Sequence, residues 1–125
     1  MNDQTIEQQI QAKGLTAPRV TPADIEAEIA AEYSFTAHEA LSQCPLHESL
    51  KLLTFCVLVL GNGFTVTGES ACASPENFDA EIGRKIARQN AVAKIWPLLG
   101  FRLRDQLHEQ DVRDFNEDHP PESEA

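Results

Sequence analysis

The sequence predicts an α+β fold: a β-hairpin or small antiparallel sheet packed by a long C-terminal helix, with short N-terminal helices. Three observations predict it. An apolar, β-branched run from Leu50 to Leu60 is followed by Asn62-Gly63 and an alternating segment, Phe64 to Ser70. That is the pattern of two strands joined by a tight turn. Ser74-Pro75-Glu76 then opens a stretch with apolar residues at helical spacing as far as Trp96. Upstream, Thr21-Pro22-Ala23-Asp24 sets a cap, a proline and an acid where a short helix begins.

Taken in order, residues 3–13 place Ile6 and Ile10 four apart before Gly14. A stripe that thin predicts a frayed or partner-dependent helix, and residues 1–20 read as an arm and linker. Residues 21–108 read as one α+β domain. Its first helix carries Ile25 and Ile29 on one side and Glu26, Glu28 and Glu32 on the other. Thr36-Ala37-His38-Glu39 has capping-box spacing for a second short helix, through Leu41. A type I′ turn at Asn62-Gly63 would pair Val59 with Val66 and Leu58 with Thr67. It would also set Cys56 opposite Glu69 and Cys72 opposite Leu53. Leu50–Leu60 is apolar on both faces, so either a strand from residues 40–53 or a second subunit should cover it.

On the long helix, Phe78, Ile82, Ile86, Ala93 and Trp96 form the stripe expected to lie on the hairpin. Gly83, Ala87, Asn90 and Ala91 form a neighbouring stripe of small residues. Gly83 in a helix interior implies close approach of another backbone or a ligand. Pro97 should end or kink the helix, with Leu98–Leu107 continuing it. Residues 109–125 are acidic and poor in apolar groups, which predicts a disordered tail.

The net charge of −10 is unevenly placed. Residues 1–50 hold eight acids against two bases and residues 105–125 eight against one, whereas residues 51–104 hold four against seven. An acidic chain with a basic middle is unsuited to duplex DNA, which needs a broad positive surface. Three cysteines at unremarkable spacing read as reduced thiols. The start, MNDQTIEQQ, lacks the basic and apolar segments of a secretory signal. The longest apolar run, Phe55 to Leu60, is far too short to span a bilayer. Together these place the protein in a cytoplasm.

No catalytic signature is visible, and we expect no enzyme activity, cofactor or metal. Gly61-Asn62-Gly63 lies between strands rather than before a helix, so it is no phosphate loop. Cys44 and His47 are not joined by a second ligand pair, as structural zinc requires. What remains is a polar, basic constellation. Arg84 and Arg88 lie four apart with Asn90 nearby, and Thr65 and Thr67 supply hydroxyls from the hairpin. Arginine forks suit phosphate. The expected ligand-binding residues are therefore Thr65, Thr67, Arg84, Arg88 and Asn90, for a small anionic, nucleotide-like ligand. The alternatives are an acidic module that engages a host protein, and a purely structural small protein. A homodimer is expected in each case.

The runs NGFTVTGES, NFDAEIG and AVAKIW, within residues 50–108, resemble the small phage protein family of coliphage N4 gene product 49 and Shigella phage Sf6 gene 66. TPADIEAEI fits the same resemblance. It implies a phage or prophage origin, an accessory role and a host cytoplasmic location, and it carries no catalytic residues. The hairpin-and-helix plan is also similar in outline to phage sponge proteins that sequester host immune nucleotide signals. That likeness implies a counter-defence role, with ligand held between sheet and helix.

Overall fold

The computed structural model describes residues 2–119. It has three strands, β1 (Ile29–Thr36), β2 (Leu53–Leu60) and β3 (Thr65–Ala71), in one antiparallel sheet of order β1-β2-β3. Helices α1 (Asp3–Ala12), α2 (Pro22–Glu28) and α3 (Ala37–Ala40) are short, and α4 (Ala80–Asp118) is 39 residues long. The expected α+β architecture is present.

Local chemistry sets most boundaries. Thr21 and Asp24 form a reciprocal capping box at the start of α2, with Pro22 in its first turn. Thr36 caps α3 by accepting from the Glu39 backbone N–H at 3.2 Å. The start of α4 differs from expectation. Pro75–Asn77 make only a 3-10 turn, and Asp79 caps α4 by accepting from the Ile82 N–H at 3.0 Å. Pro97 neither ends the helix nor divides it in two; α4 runs on through it. The tail expected to be disordered is helical as far as Asp118, because it continues a helix already nucleated on the sheet. Residues 120–125 of that tail lie outside the described residues.

The third strand is β1, where a continuation of α2 was expected; residues 41–52 form a loop and a 3-10 turn. Glu32, Ser34 and Thr36 alternate with Ala31, Tyr33 and Phe35, a period of two that the helical spacing of Ile25 and Ile29 obscured. The hairpin register is also one residue from expectation. Leu58 pairs with Val66, Val59 with Thr65, Cys56 with Gly68 and Leu53 with Ala71. Gly61 joins the loop, and of the three loop residues only Gly63, at φ 88°, has positive φ. This is a three-residue loop of the bulged type, not a type I′ turn. The one-residue shift puts Leu58 against Val66 on the buried face.

The core lies between α4 and one sheet face. Cys56, Leu58, Leu60 and Val66 meet Ala87, Ala91, Ile95 and Leu99. The stripe expected to face the sheet does not: Ile82 and Ile86 are 55% and 41% exposed. The small-residue stripe faces it instead, because α4 lies so close to β3 that only small side chains fit. A Cβ added at Gly68 would stand 2.2 Å from the Ala87 carbonyl oxygen and 2.3 Å from the Ala91 nitrogen. At Gly83 an added Cβ would stand 3.0 Å from the Thr54 hydroxyl, so that glycine makes room for a side chain. Below the sheet, α1 docks through a forked Arg19–Glu7 pair at 2.6 Å and a Trp96 indole N–H to Asp3 bond at 3.2 Å.

Candidate functional site

The five residues expected to bind ligand fall into two groups on opposite faces of the sheet. Alternation along β3 turns Val66 and Gly68 toward α4 and leaves Thr65 and Thr67 on the outer face. Arg84, Arg88 and Asn90 belong to α4, on the other side. The hairpin hydroxyls and the helix arginines therefore do not converge within one chain.

Arg88 is already engaged. Its Nε donates to both Glu32 carboxylate oxygens at 3.1 Å, and its two terminal nitrogens donate to Glu26 at 3.1 and 2.8 Å. The double pair locks α4 to α2 and β1, and its side chain is only partly exposed. Hydrogen bonds from Arg88 hold the Glu26 carboxyl below its ordinary value, and those from Arg102 do the same for Glu28. A carboxyl depressed in the folded state stabilises above its unfolded value and loses that contribution as pH falls through the folded value. Stability should therefore fall as pH drops below the ordinary 4.5. Arg88→Ala should cost about 1 kcal/mol at neutral pH, discounted for solvent screening, and flatten that acid limb. Urea unfolding at neutral and acidic pH measures both.

Asn90 is likewise structural in its contact. Its side-chain amide donates to the Glu69 carbonyl at 2.7 Å, pinning α4 to β3 beside Gly68. Arg84 differs: among the described residues no acid lies within ion-pair distance of it. It borders a cavity of about 60 Å³ with Ser34, Thr36, Glu39 and Thr54. Thr54 is 2% exposed, and its hydroxyl has no hydrogen-bond partner among the described residues. A larger open cleft of about 500 Å³ lies between the start of α1 and the Arg88, Val92 and Trp96 side of α4. There the arginine is balanced by Glu26 and Glu32, and Asp3 adds a further acid.

The feature that reasoning from the sequence missed is the outer face of the sheet. Register and alternation gather Tyr33, Phe35, Phe55, Val57 and Val59 there, bordered by Thr65 and Thr67. Phe35 and Phe55 stack with ring centroids 5.7 Å apart, and Tyr33 is 60% exposed. The long helix α4 occupies the other face. Glu69 is the one charged residue at its register positions. Spacing alone assigns Phe64, Phe78 and Trp96 to the core, which leaves none of those three rings for stacking. Phe64 is in fact 55% exposed, and the aromatics of the outer face come from β1 and β2, Tyr33 exposed and Phe35 and Phe55 half-buried. The signal that could have found it is the Ala31-Tyr33-Phe35 alternation.

No group of His, Cys, Asp or Glu side chains among the described residues is placed to hold a metal ion. No helix among them is long and apolar enough to cross a membrane. No curated protein and no solved structure matches the chain. A family model does match, over residues 20–107, which takes in α2, α3, the whole sheet and most of α4. On that match the chain belongs to the phage protein (N4 Gp49/phage Sf6 gene 66) family.

Proposed function

We propose that this is a non-catalytic phage accessory protein that docks a target protein on the outer face of its sheet. Family membership makes it a phage accessory or structural protein. The observation that carries the finer reading is the apolar outer face formed by Tyr33, which is exposed, and Phe35, Phe55, Val57 and Val59, which are half-buried. Three strands of seven or eight residues present a footprint of roughly 350 Å², from ordinary strand spacing and rise. The apolar part of that footprint is the share of β1 and β2, with Thr65, Thr67 and Glu69 of β3 as a polar border, and contiguous apolar patches are commonly binding sites. Its chemistry favours an apolar target surface with hydrogen-bonding groups at the rim for Thr65 and Thr67. A polyanion is disfavoured, because no lysine or arginine stands at the register positions of that face.

A photo-crosslinker at Tyr33 tests this during infection, with Lys85 on the exposed side of α4 as the control position. One defined adduct from Tyr33, lost in Val57→Lys and missing from Lys85, is the expected result. The same adducts from both positions would remove the reading.

A second reading, binding of a small nucleotide-like anion, is supported by Arg84, which lines the same small cavity as the Thr54 hydroxyl, neither having a partner among the described residues. In that reading the biological role is sequestration of a host immune nucleotide signal as counter-defence. Thr65 and Thr67 could then reach the same ligand only from another subunit. Native mass spectrometry with cyclic nucleotides decides it: a bound mass that vanishes in Arg84→Ala supports the reading, and an apo protein against the whole panel ends it.

A further inference from the structure

The last half of α4 is covered only at its base, where Arg102 and Leu103 meet residues 19–28, and on one side. Beyond Leu99 only Leu103 and Leu107 are partly buried, and every residue from 108 to 118 is exposed. Residues 100–118 therefore form an overhang roughly 28 Å long at the usual rise per residue, braced at its base by the Arg102–Glu28 pair and bare from residue 108 to 118. It is not polar all round. Leu98, Phe101, Val112 and Phe115 are all exposed, Phe101 by 71% and Phe115 by 60%. With Asp105 and His108 they follow one stripe at alternating spacings of three and four, the a/d repeat of a coiled-coil seam. That stripe lies on average about 150° around the helix from Leu99; Leu98 follows the sheet-facing Ala91 by seven residues and starts on its side, so the stripe clears the sheet from Phe101 onward.

We infer that the overhang is a self-association element, and that it pairs antiparallel with the same segment of a second copy of this chain. Charge and register select that occupant and that direction. Residues 100–107 hold two bases and one acid, whereas residues 108–118 hold five acids and one base. A parallel pair would bring the two acidic halves together. An antiparallel pair brings each acidic half onto the other chain's basic half.

The seam matches in the same register. Leu98 falls opposite Phe115 of the second copy, Phe101 opposite Val112, and Asp105 opposite His108. The two-fold axis then repeats each pairing, so one patch serves both chains. The Asp105–His108 layers hydrogen-bond at the centre and fix the register, the role a single polar layer plays in such seams. The flanking positions agree as well. Arg104 comes beside Asp111 of the second copy, and Arg102 beside Glu109. Within its own chain Arg104 meets Asp111 only at 3.9 Å, so it is free to exchange partners; Arg102 is already held by Glu28 at 2.9 Å and adds less.

The test is sedimentation equilibrium on the full chain. Wild type should be a dimer whose Tm rises with protein concentration, and Phe101→Glu with Phe115→Glu a monomer that still unfolds cooperatively at a concentration-independent Tm, since both rings are exposed in one chain. Orientation is read by disulfide trapping in a Cys44→Ser, Cys72→Ser background. Phe101→Cys mixed with Val112→Cys should cross-link, and neither should cross-link alone. A monomeric wild type, a dimer that survives the double glutamate variant, or self-cross-linking of Phe101→Cys would each overturn the proposal.

Discussion

Replacing Gly68 by alanine should lower the unfolding free energy by about 3 kcal/mol, at the upper end for overpacking a core. The reason is that every near neighbour is backbone. The added methyl would meet the Ala87 carbonyl oxygen at 2.2 Å, the Ala91 nitrogen at 2.3 Å and the Asn90 carbonyl carbon at 2.9 Å. No side chain can rotate away, so α4 must lift from β3. The lift would stretch the Asn90–Glu69 bond at 2.7 Å and open the Leu58, Ile95 and Val66 contacts beside it. Backbone strain adds nothing to that cost, since Gly68 does not have positive φ. Urea denaturation measures the loss, with Gly100→Ala as the control, since nothing lies within 4 Å of its added methyl. That control should gain about 0.5–1 kcal/mol from helix propensity alone. A Gly68→Ala loss under about 1 kcal/mol would mean that α4 and β3 are not in this contact.

That contact also shows which parts of the structure could be read from the sequence. Caps were legible because their chemistry spans four residues: Thr21 with Asp24, and Thr36 with Glu39, formed as spacing required. The hairpin was legible as an element but not in register, because two glycines flank Asn62 and only geometry decides that Gly61 belongs to the loop. The buried face of α4 was misread for a physical reason. Hydrophobicity favoured Ile82 and Ile86, but helix–sheet distance favoured Gly83, Ala87 and Ala91, and Gly68 on the partner strand sets that distance. The candidate ligand residues suit the ligand on each element separately, but not together. Thr65 and Thr67 do share the strand face opposite Val66, yet that face points away from the arginines. Arg88 looks available in the sequence because Glu26 and Glu32, its partners at 2.8 and 3.1 Å, lie more than fifty positions away in the chain.

Pro97→Ala should raise stability by about 2 kcal/mol, against the roughly 3 kcal/mol that proline costs in a helix interior. Pro97 is exposed and makes no core contact, so removing its ring opens no cavity. Alanine restores the N–H that the helix lacks at that turn and relieves the ring against the carbonyl four residues back. The gain is smaller than the full propensity difference because the native turn has already adjusted to the ring. The substitution bears on the overhang too. Pro97 stands between the core residues Ile95 and Leu99, within the last anchored turn before the projecting half, and next to Leu98 at the start of the exposed stripe. If the stripe works as one straight seam, the variant should gain stability and keep its self-association. A rise in the urea midpoint with unchanged sedimentation is the expected pair of results. A more stable protein that no longer associates would mean that the turn at Pro97 aims the overhang, and that the native chain carries the cost of the proline in order to do so.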